Sequence, residues 1–253
     1  MDDFVFCGKS IADFGATAAF GAAMKIGAKI ARSDYSLPGG GVVEIGEPSY
    51  KATQRAVTIT PRDGVEASPA WRRAILGWLQ AQRGEMTVLN DPDVSFVASF
   101  DAEGTYGTQG WPLGEIKINM TLQPMCYATQ ETVTIRETEG GAASIPVEAH
   151  SALSMPVCLA LERTSGTITA ATIAAGGHTL SLAGLSLGAG QRLVYDAGRI
   201  LGDPARLTVA GKLDFSGVRQ WALLTVPPSG FVTVRVTGGE ARCVLMLRGR
   251  WPA

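Results

Sequence analysis

The side chains best suited to chemistry are few in this sequence and poorly placed for it. His150 and His178 are the only two histidines in 253 residues. Neither stands beside a cysteine or a cluster of carboxylates, so a Ser-His-acid relay or a metal-bound water would lack its central group. His178 follows Gly176-Gly177 at the start of a predicted strand, where a solvated turn histidine is expected. Cys7, Cys126, Cys158 and Cys243 form no Cys-x-x-Cys pair. In a chain with enough apolar residues for its own core they are expected as buried thiols rather than disulfides. Asp91 and Asp93 flank Pro92, where carboxylates accept turn hydrogen bonds, with calcium binding as the alternative. Leu37-Pro38-Gly39-Gly40-Gly41 is glycine-rich, but Val42-Val43-Glu44-Ile45 behind it reads as a strand, and a phosphate cradle would open a helix. Gly-x-Ser-x-Gly, His-Glu-x-x-His and a phosphate loop ending in Lys-Ser/Thr are all missing from the sequence. No catalytic residue, cofactor or metal ligand is assigned, and the expectation is a protein that is not an enzyme.

Charge narrows the partners. The formal net charge is -1 and the pI near 6.1, which does not suit a protein that coats nucleic acid and must release counterions from phosphates. The distribution is uneven: residues 1–150 carry 12 Lys and Arg against 18 Asp and Glu, residues 151–253 carry 10 against 5, so the two stretches are -6 and +5. Met1-Asp2-Asp3 is acidic where a secretory leader is basic, and no apolar run approaches the ~20 residues of a membrane span. Synthesis in the cytoplasm without membrane insertion is expected. A hydrophobic content of 46% over this length supports two ordinary cores, hence two domains.

The elements that would position any site are overwhelmingly β. In Ala56-Val57-Thr58-Ile59-Thr60, Val57 and Ile59 share one face and the threonines the other, as a half-buried strand requires. Pro61-Arg62-Asp63-Gly64 breaks it. A helix then follows: Ser68 caps it, Pro69 suits its first position, Trp71, Ile75, Trp78 and Leu79 fall on one stripe, and Arg83-Gly84 end it. Two tryptophans on one face require a broad apolar partner, which the flanking strands supply as a sheet. Glu85 to Leu89 and Val94 to Phe100 read as strands around an Asn90-Asp91-Pro92-Asp93 turn, and Glu115 to Leu122 alternates in the same way. Between the last two, residues 101–107 and the Gly110-Trp111-Pro112 turn form a polar excursion projecting from the sheet. Residues 12–31 are rich in Ala and Gly, but Gly15, Gly21 and Gly27 each cost about 1 kcal/mol in a helix, so mixed strand and loop is expected there.

Past Tyr127 the texture changes, with a domain boundary near Thr129 and a loop at Gly140-Gly141. Short alternating pieces follow: Thr167 to Thr169, Thr179 to Leu182, Arg192 to Tyr195, Arg206 to Val209, Phe231 to Val236 and Cys243 to Leu247. Turns at Ala175-Gly176-Gly177, Gly188-Ala189-Gly190 and Gly238-Gly239 separate them, which predicts a β-sandwich.

The order of parts from Trp71 to Ala128 resembles the N-terminal domain of siphophage distal tail proteins, the Dit family of ring-forming adaptors at the tip of a long tail. The resemblance rests on the helix with Gly77-Trp78-Leu79, the Leu89-Asn90-Asp91-Pro92-Asp93 segment, and the exit through Leu122-Gln123-Pro124-Met125-Cys126-Tyr127. In the second half, Tyr195-Asp196 and Leu223-Leu224 leading to Pro227-Pro228-Ser229-Gly230 are similar to the family's galectin-like sandwich, with Phe231 where an Asn is usual. The resemblance implies a mainly β protein: an N-terminal sandwich or barrel-like, ring-forming domain with one packed helix over 1–129, and a galectin-like sandwich over 130–253. It implies a structural virion protein at the tail tip, a homo-hexameric ring between tail tube protein and tail hub protein. Its open channel would hold the tape measure protein and later pass DNA without sequence-specific binding. Subunit contacts are expected from Asp101, Glu103, Thr105, Tyr106 and Gln109, and a scaffold role from Trp71, Ile75, Trp78 and Leu79. The alternative is a carbohydrate-binding sandwich. Its polar supply is thin, because Asn90 and Asn119 are the only asparagines and Trp221 and Trp251 the only tryptophans of the second half.

Overall fold

The computed structural model describes residues 3–21, 29–36, 42–80, 83–101, 105–106, 114–198, 200 and 203–252, with the backbone alone over 29–36, 42–49 and 105–106. The chain divides into two compact units, Met1–Thr129 with Pro252–Ala253, and Gln130–Trp251.

In the first unit the strands are β1 (Phe4–Phe6), β2 (Lys9–Ser10), β3 (Ala16–Phe20), β4 (Lys29–Ser36), β5 (Val42–Lys51) and β6 (Thr53–Pro61), then helix α1 (Pro69–Leu79), then β7 (Gly84–Val88), β8 (Asp91–Phe100), β9 (Thr105–Tyr106) and β10 (Ile116–Ala128). The main sheet is antiparallel in the order β2-β1-β7-β8-β10-β6-β3 and curls into a half-barrel. Strict alternation drives it: Ile116, Ile118, Met120 and Leu122 of β10 are buried while Lys117 and Asn119 are exposed. Helix α1 starts where expected, the Ser68 hydroxyl accepting the Trp71 N–H at 3.2 Å with Pro69 at the first turn. Ile75 and Leu79 are fully buried, worth about 1.5–3 kcal/mol each. Trp71 and Trp78 lie half-buried against the same cluster.

Four local expectations change. The helix ends earlier, with Gln80 as its C-cap. Gly84 instead opens β7 opposite Ala98, where a Cβ would come 2.1 Å from Cys7 Sγ. The turn after β7 is Leu89-Asn90, and Asp91-Pro92-Asp93 already belongs to β8. A register shift after Thr87 absorbs the extra residues, so proline sits where the ladder is interrupted and needs no N–H. The Pro124 exit is likewise inside β10, at a shift between Leu122 and Cys126. Within 12–31, a single 3-10 turn (Ile11–Phe14) capped by Ser10 precedes β3, β4 starts at Lys29, and residues 22–28 lie outside the described ones. Finally, Cys7 is exposed whereas Cys126, Cys158 and Cys243 are buried. It occupies the β1–β2 turn with φ 49° beside Gly8 at φ 77°, and a two-residue turn faces solvent.

The second unit contains β11 (Thr132–Glu137), β12 (Ala142–Pro146), β13 (Met155–Pro156), β14 (Cys158–Ala175), β15 (His178–Leu187), β16 (Arg192–Asp196), β17 (Arg206–Val209), β18 (Lys212–Leu213), β19 (Val218–Gln220), β20 (Thr225–Val226) and β21 (Phe231–Leu247), with β22 (Arg250–Pro252) at the end. Gly238-Gly239, expected to separate two strands, lies inside the 17-residue β21. It pairs along the 18-residue β14. The two backbones cross there: a Cβ on Gly239 would come 2.2 Å from the Ser165 carbonyl oxygen, and one on Gly166 2.3 Å from that of Gly238. Only glycine permits that approach, and the ladder shifts register at the same place. One half of each long strand pairs in the order β11-β21-β14-β16-β17-β18; the other half carries β12 beside β21 and β15 and β19 beyond β14. Leu159, Leu161, Leu193 and Leu245 from the first half share one core with Ile173, Leu180, Val232 and Val234 from the second. A single sheet, bent at glycine, thus supplies both layers of a sandwich.

Candidate assembly surface

Residues expected at subunit contacts separate into two groups. Asp101 is exposed at the end of β8, its N–H donating to the Asn119 carbonyl at 2.9 Å. Thr105 and Tyr106 form β9, paired with Lys117 and Ile116 of β10. The excursion therefore returns at once to the strand that β8 has just left, instead of projecting at that point. Glu103, Gln109 and the Gly110-Trp111-Pro112 turn lie outside the described residues.

The scaffold residues converge. Trp78 stacks on Phe4 and Phe14 with ring centroids 5.7 and 4.9 Å away, and its Nε1–H donates to the Phe6 carbonyl at 3.1 Å. Trp71 Nε1–H donates to the Phe14 carbonyl at 2.7 Å. Both indoles thus tie α1 to the N-terminal strands, and their polar edges are satisfied. A shallow pocket on the same sheet, lined by Phe20, Phe96, Met86, Val88, Met120 and Leu122 among others, is apolar and holds little more than a water. It offers no room for a substrate.

Backbone edges are the more extensive feature. Among the described residues, β4 and β5 pair with each other alone, from Lys29↔Lys51 to Ser36↔Val42. A ten-residue strand spans roughly 33 Å, and a two-stranded ribbon of that reach is marginal alone. β2 and β3 end the main sheet, and an edge strand presents open N–H and C=O groups to another chain.

Exposed apolar side chains are also unequally shared. Among the described residues of the first unit, the large one is Leu89, 53% exposed at the β7–β8 tip. In the second unit Leu213, Phe215, Trp221 and Leu223 are exposed within eleven residues of sequence. Their support is built: the buried Tyr195 hydroxyl donates to the Ala222 carbonyl at 2.9 Å and accepts the Leu224 N–H at 2.8 Å. Burial raises the Tyr195 pKa, keeping that hydroxyl protonated. Trp221 meets Tyr195 and Phe215 edge-on at 5.9 and 5.4 Å. Beside them Ser216 donates its hydroxyl and its N–H to Asp214, which lowers that carboxyl's pKa. The sequence reading missed this patch, although Leu213 and Phe215 alternate with the polar Lys212, Asp214 and Ser216 as solvent-facing apolar residues do.

No protein-family profile matches the sequence, and no curated protein matches it. Solved structures do match. The likeness of fold spans the whole chain, both units in the same order. The Dit protein of phage SPP1, described as a paradigm of the hub adsorption apparatus in phages infecting Gram-positive hosts, aligns with a TM-score of 0.70 at 14% identity, covering 99% of each chain. Chains of the phage p2 baseplate in its activated conformation align with TM-scores of 0.55 with calcium and 0.56 with strontium, both at 8% identity. They cover 98% of each chain in the first case, and 100% of this chain and 99% of that one in the second. The chain thus has the mainly β fold of the SPP1 Dit protein, and both neighbours are structural components of phage tails.

Proposed function

We propose that this protein is a distal tail component of a long, non-contractile phage tail, located at the tail tip of the virion, made in the host cytoplasm and without enzymatic activity. The observation that carries this reading is the likeness to the SPP1 Dit protein over both units in the same order. In this reading the first unit, 1–129, forms a closed homo-hexameric ring, and the second, from 130 onward, is a galectin-like sandwich attached to it. Heterologous contacts close into a ring when the rotation per subunit divides the circle. The β4–β5 ribbon, the β2 and β3 edges and the segment from Asp101 to Gln109 are the surfaces best suited to meet a neighbour.

Mechanism here is geometric. The ring joins the tail tube protein to the tail hub protein, houses the end of the tape measure protein and leaves a channel for DNA. The ring-forming residues 1–129 carry 11 Lys and Arg against 14 Asp and Glu, a net of -3, which favours passage, since an acidic lumen repels phosphates. Native mass spectrometry with negative-stain imaging tests the reading: rings of six are expected. A monomer at micromolar concentration that binds glycans would overturn it in favour of a carbohydrate-binding module.

A further inference from the structure

The exposed aromatic patch and the exposed leucine belong together. Leu213, Phe215, Trp221 and Leu223 are 68%, 49%, 43% and 56% exposed, an apolar concentration that soluble surfaces rarely leave open. Two arrangements fix it in place. Tyr195 grips the main chain on both sides of Leu223, and Trp221 is wedged between Tyr195 and Phe215. A surface held this way loses little side-chain freedom on binding. Its charged neighbours in sequence are Lys212 and Arg219, both exposed, and Asp214, which two hydrogen bonds from Ser216 keep ionised, so the cations outnumber the acid two to one.

The first unit presents the converse. Leu89 stands at the tip of a two-residue turn, and its N–H is anchored on the Asp3 carbonyl at 3.0 Å. Asp91 and Asp93, both exposed, flank it. An aliphatic knob among carboxylates complements an aromatic platform among cations in shape and in sign.

We infer that the Leu213–Leu223 patch is a docking site for a second copy of this chain, receiving the Leu89 hairpin tip with Asp91 and Asp93 facing Lys212 and Arg219. Knob and platform are different surfaces, so the contact can run head-to-tail from copy to copy, as closure of a ring requires. The inference deepens the ring reading and rests on it.

The test measures self-association of the full chain by native mass spectrometry and sedimentation, with negative-stain imaging. Trp221→Ala and Leu89→Ser should each weaken assembly by at least about tenfold, as central apolar contacts do. Phe215→Ser, further from the Tyr195 clamp, serves where Trp221→Ala unfolds. Asp93→Lys should weaken it too, and Arg219→Glu in the same chain should restore it. Sensitivity at Trp221 or Phe215 with none at Leu89 overturns the Leu89 tip as the occupant and leaves a different surface of the second copy on the patch. Rings unaffected by all of these variants overturn the inference while leaving the ring reading intact. A wild-type chain that stays monomeric defeats the ring reading itself, and the inference with it.

Discussion

The two units use their aromatic residues in opposite ways. Thirteen of the eighteen Phe, Trp and Tyr residues fall in the first unit. There Phe4, Phe6, Phe14, Phe20, Phe96 and Phe100 join the indoles of α1 in one cluster. The second unit is aliphatic inside: its buried cluster is Leu, Val, Ile and Ala with Met155, Cys243 and one aromatic, Tyr195, while Phe215, Trp221 and Phe231 stand exposed. A half-barrel closed by one short helix needs wide, flat side chains to bridge helix and sheet. A sheet folded on itself brings two pleated faces close enough for branched aliphatics. The lesson concerns function: the clustered aromatic residues of the first unit are scaffold, and those on the second unit's surface are available for contact.

The sharpest way to break this contrast is Trp78→Ala. Losing the stack on Phe4 and Phe14 and the bond to Phe6 should cost about 3–5 kcal/mol. Chemical denaturation should then show the first unit unfolding early while the second holds, and an unchanged midpoint would remove the indole from the scaffold. Tyr195→Phe should cost about 1–3 kcal/mol, because the buried Leu224 N–H loses its acceptor. Here the second unit's transition moves, and protease cleavage between Ala222 and Leu224 should accelerate.

Smaller still is the alkaline response. Burial pushes the Cys243 thiol from 9.0 up to about 11. A thiol whose folded pKa is raised binds its proton more tightly folded than unfolded. Its contribution is therefore complete below pH 9 and is lost as pH climbs toward 11. Cys243→Ala should flatten the second unit's stability profile over that window. In the same protein at pH 8, only Cys7 should alkylate quickly, and rapid labelling of Cys243 would contradict its burial. The least effect on folding belongs to Phe215→Ser and Leu223→Ser, each expected within about 0.5 kcal/mol of the wild type. If either destabilises the sandwich by several times that, its ring is core after all and the contrast fails.

How much of this was legible in the sequence differs by element. Helix α1 was readable because cap, proline and apolar stripe agreed, and the Arg206–Val209 strand because its alternation was bounded by turns. Gly238-Gly239 misled for a physical reason: the same pair that makes a turn also allows two backbones to cross, and only the distant Ser165–Gly166 partner decides between them. Asp91-Pro92-Asp93 misled similarly, since proline marks an interrupted ladder as readily as a turn. Whole-chain likeness to a tail protein was legible only through the order of parts, because 14% identity leaves little else. The exposed patch was not legible, for whether Trp221 lies inside or outside depends on Tyr195, 26 positions earlier in the chain.

The glycine-bent pair of long strands also dictates a timetable. Thr132 of β11 pairs with Leu247, and β12 and β14 pair with other parts of the same β21. Neither layer of the second unit can close until that last long strand has left the ribosome, and such long-range pairing is slow. The pairings among the first unit's strands from β1 to β10 need nothing beyond Ala128, and only β22, which pairs with β10, is added last. Synthesis therefore delivers most of the first unit's sheet while the sandwich is still an open chain with unsatisfied edges, and a nascent protein stalled before Cys243 would expose β14 along its full length.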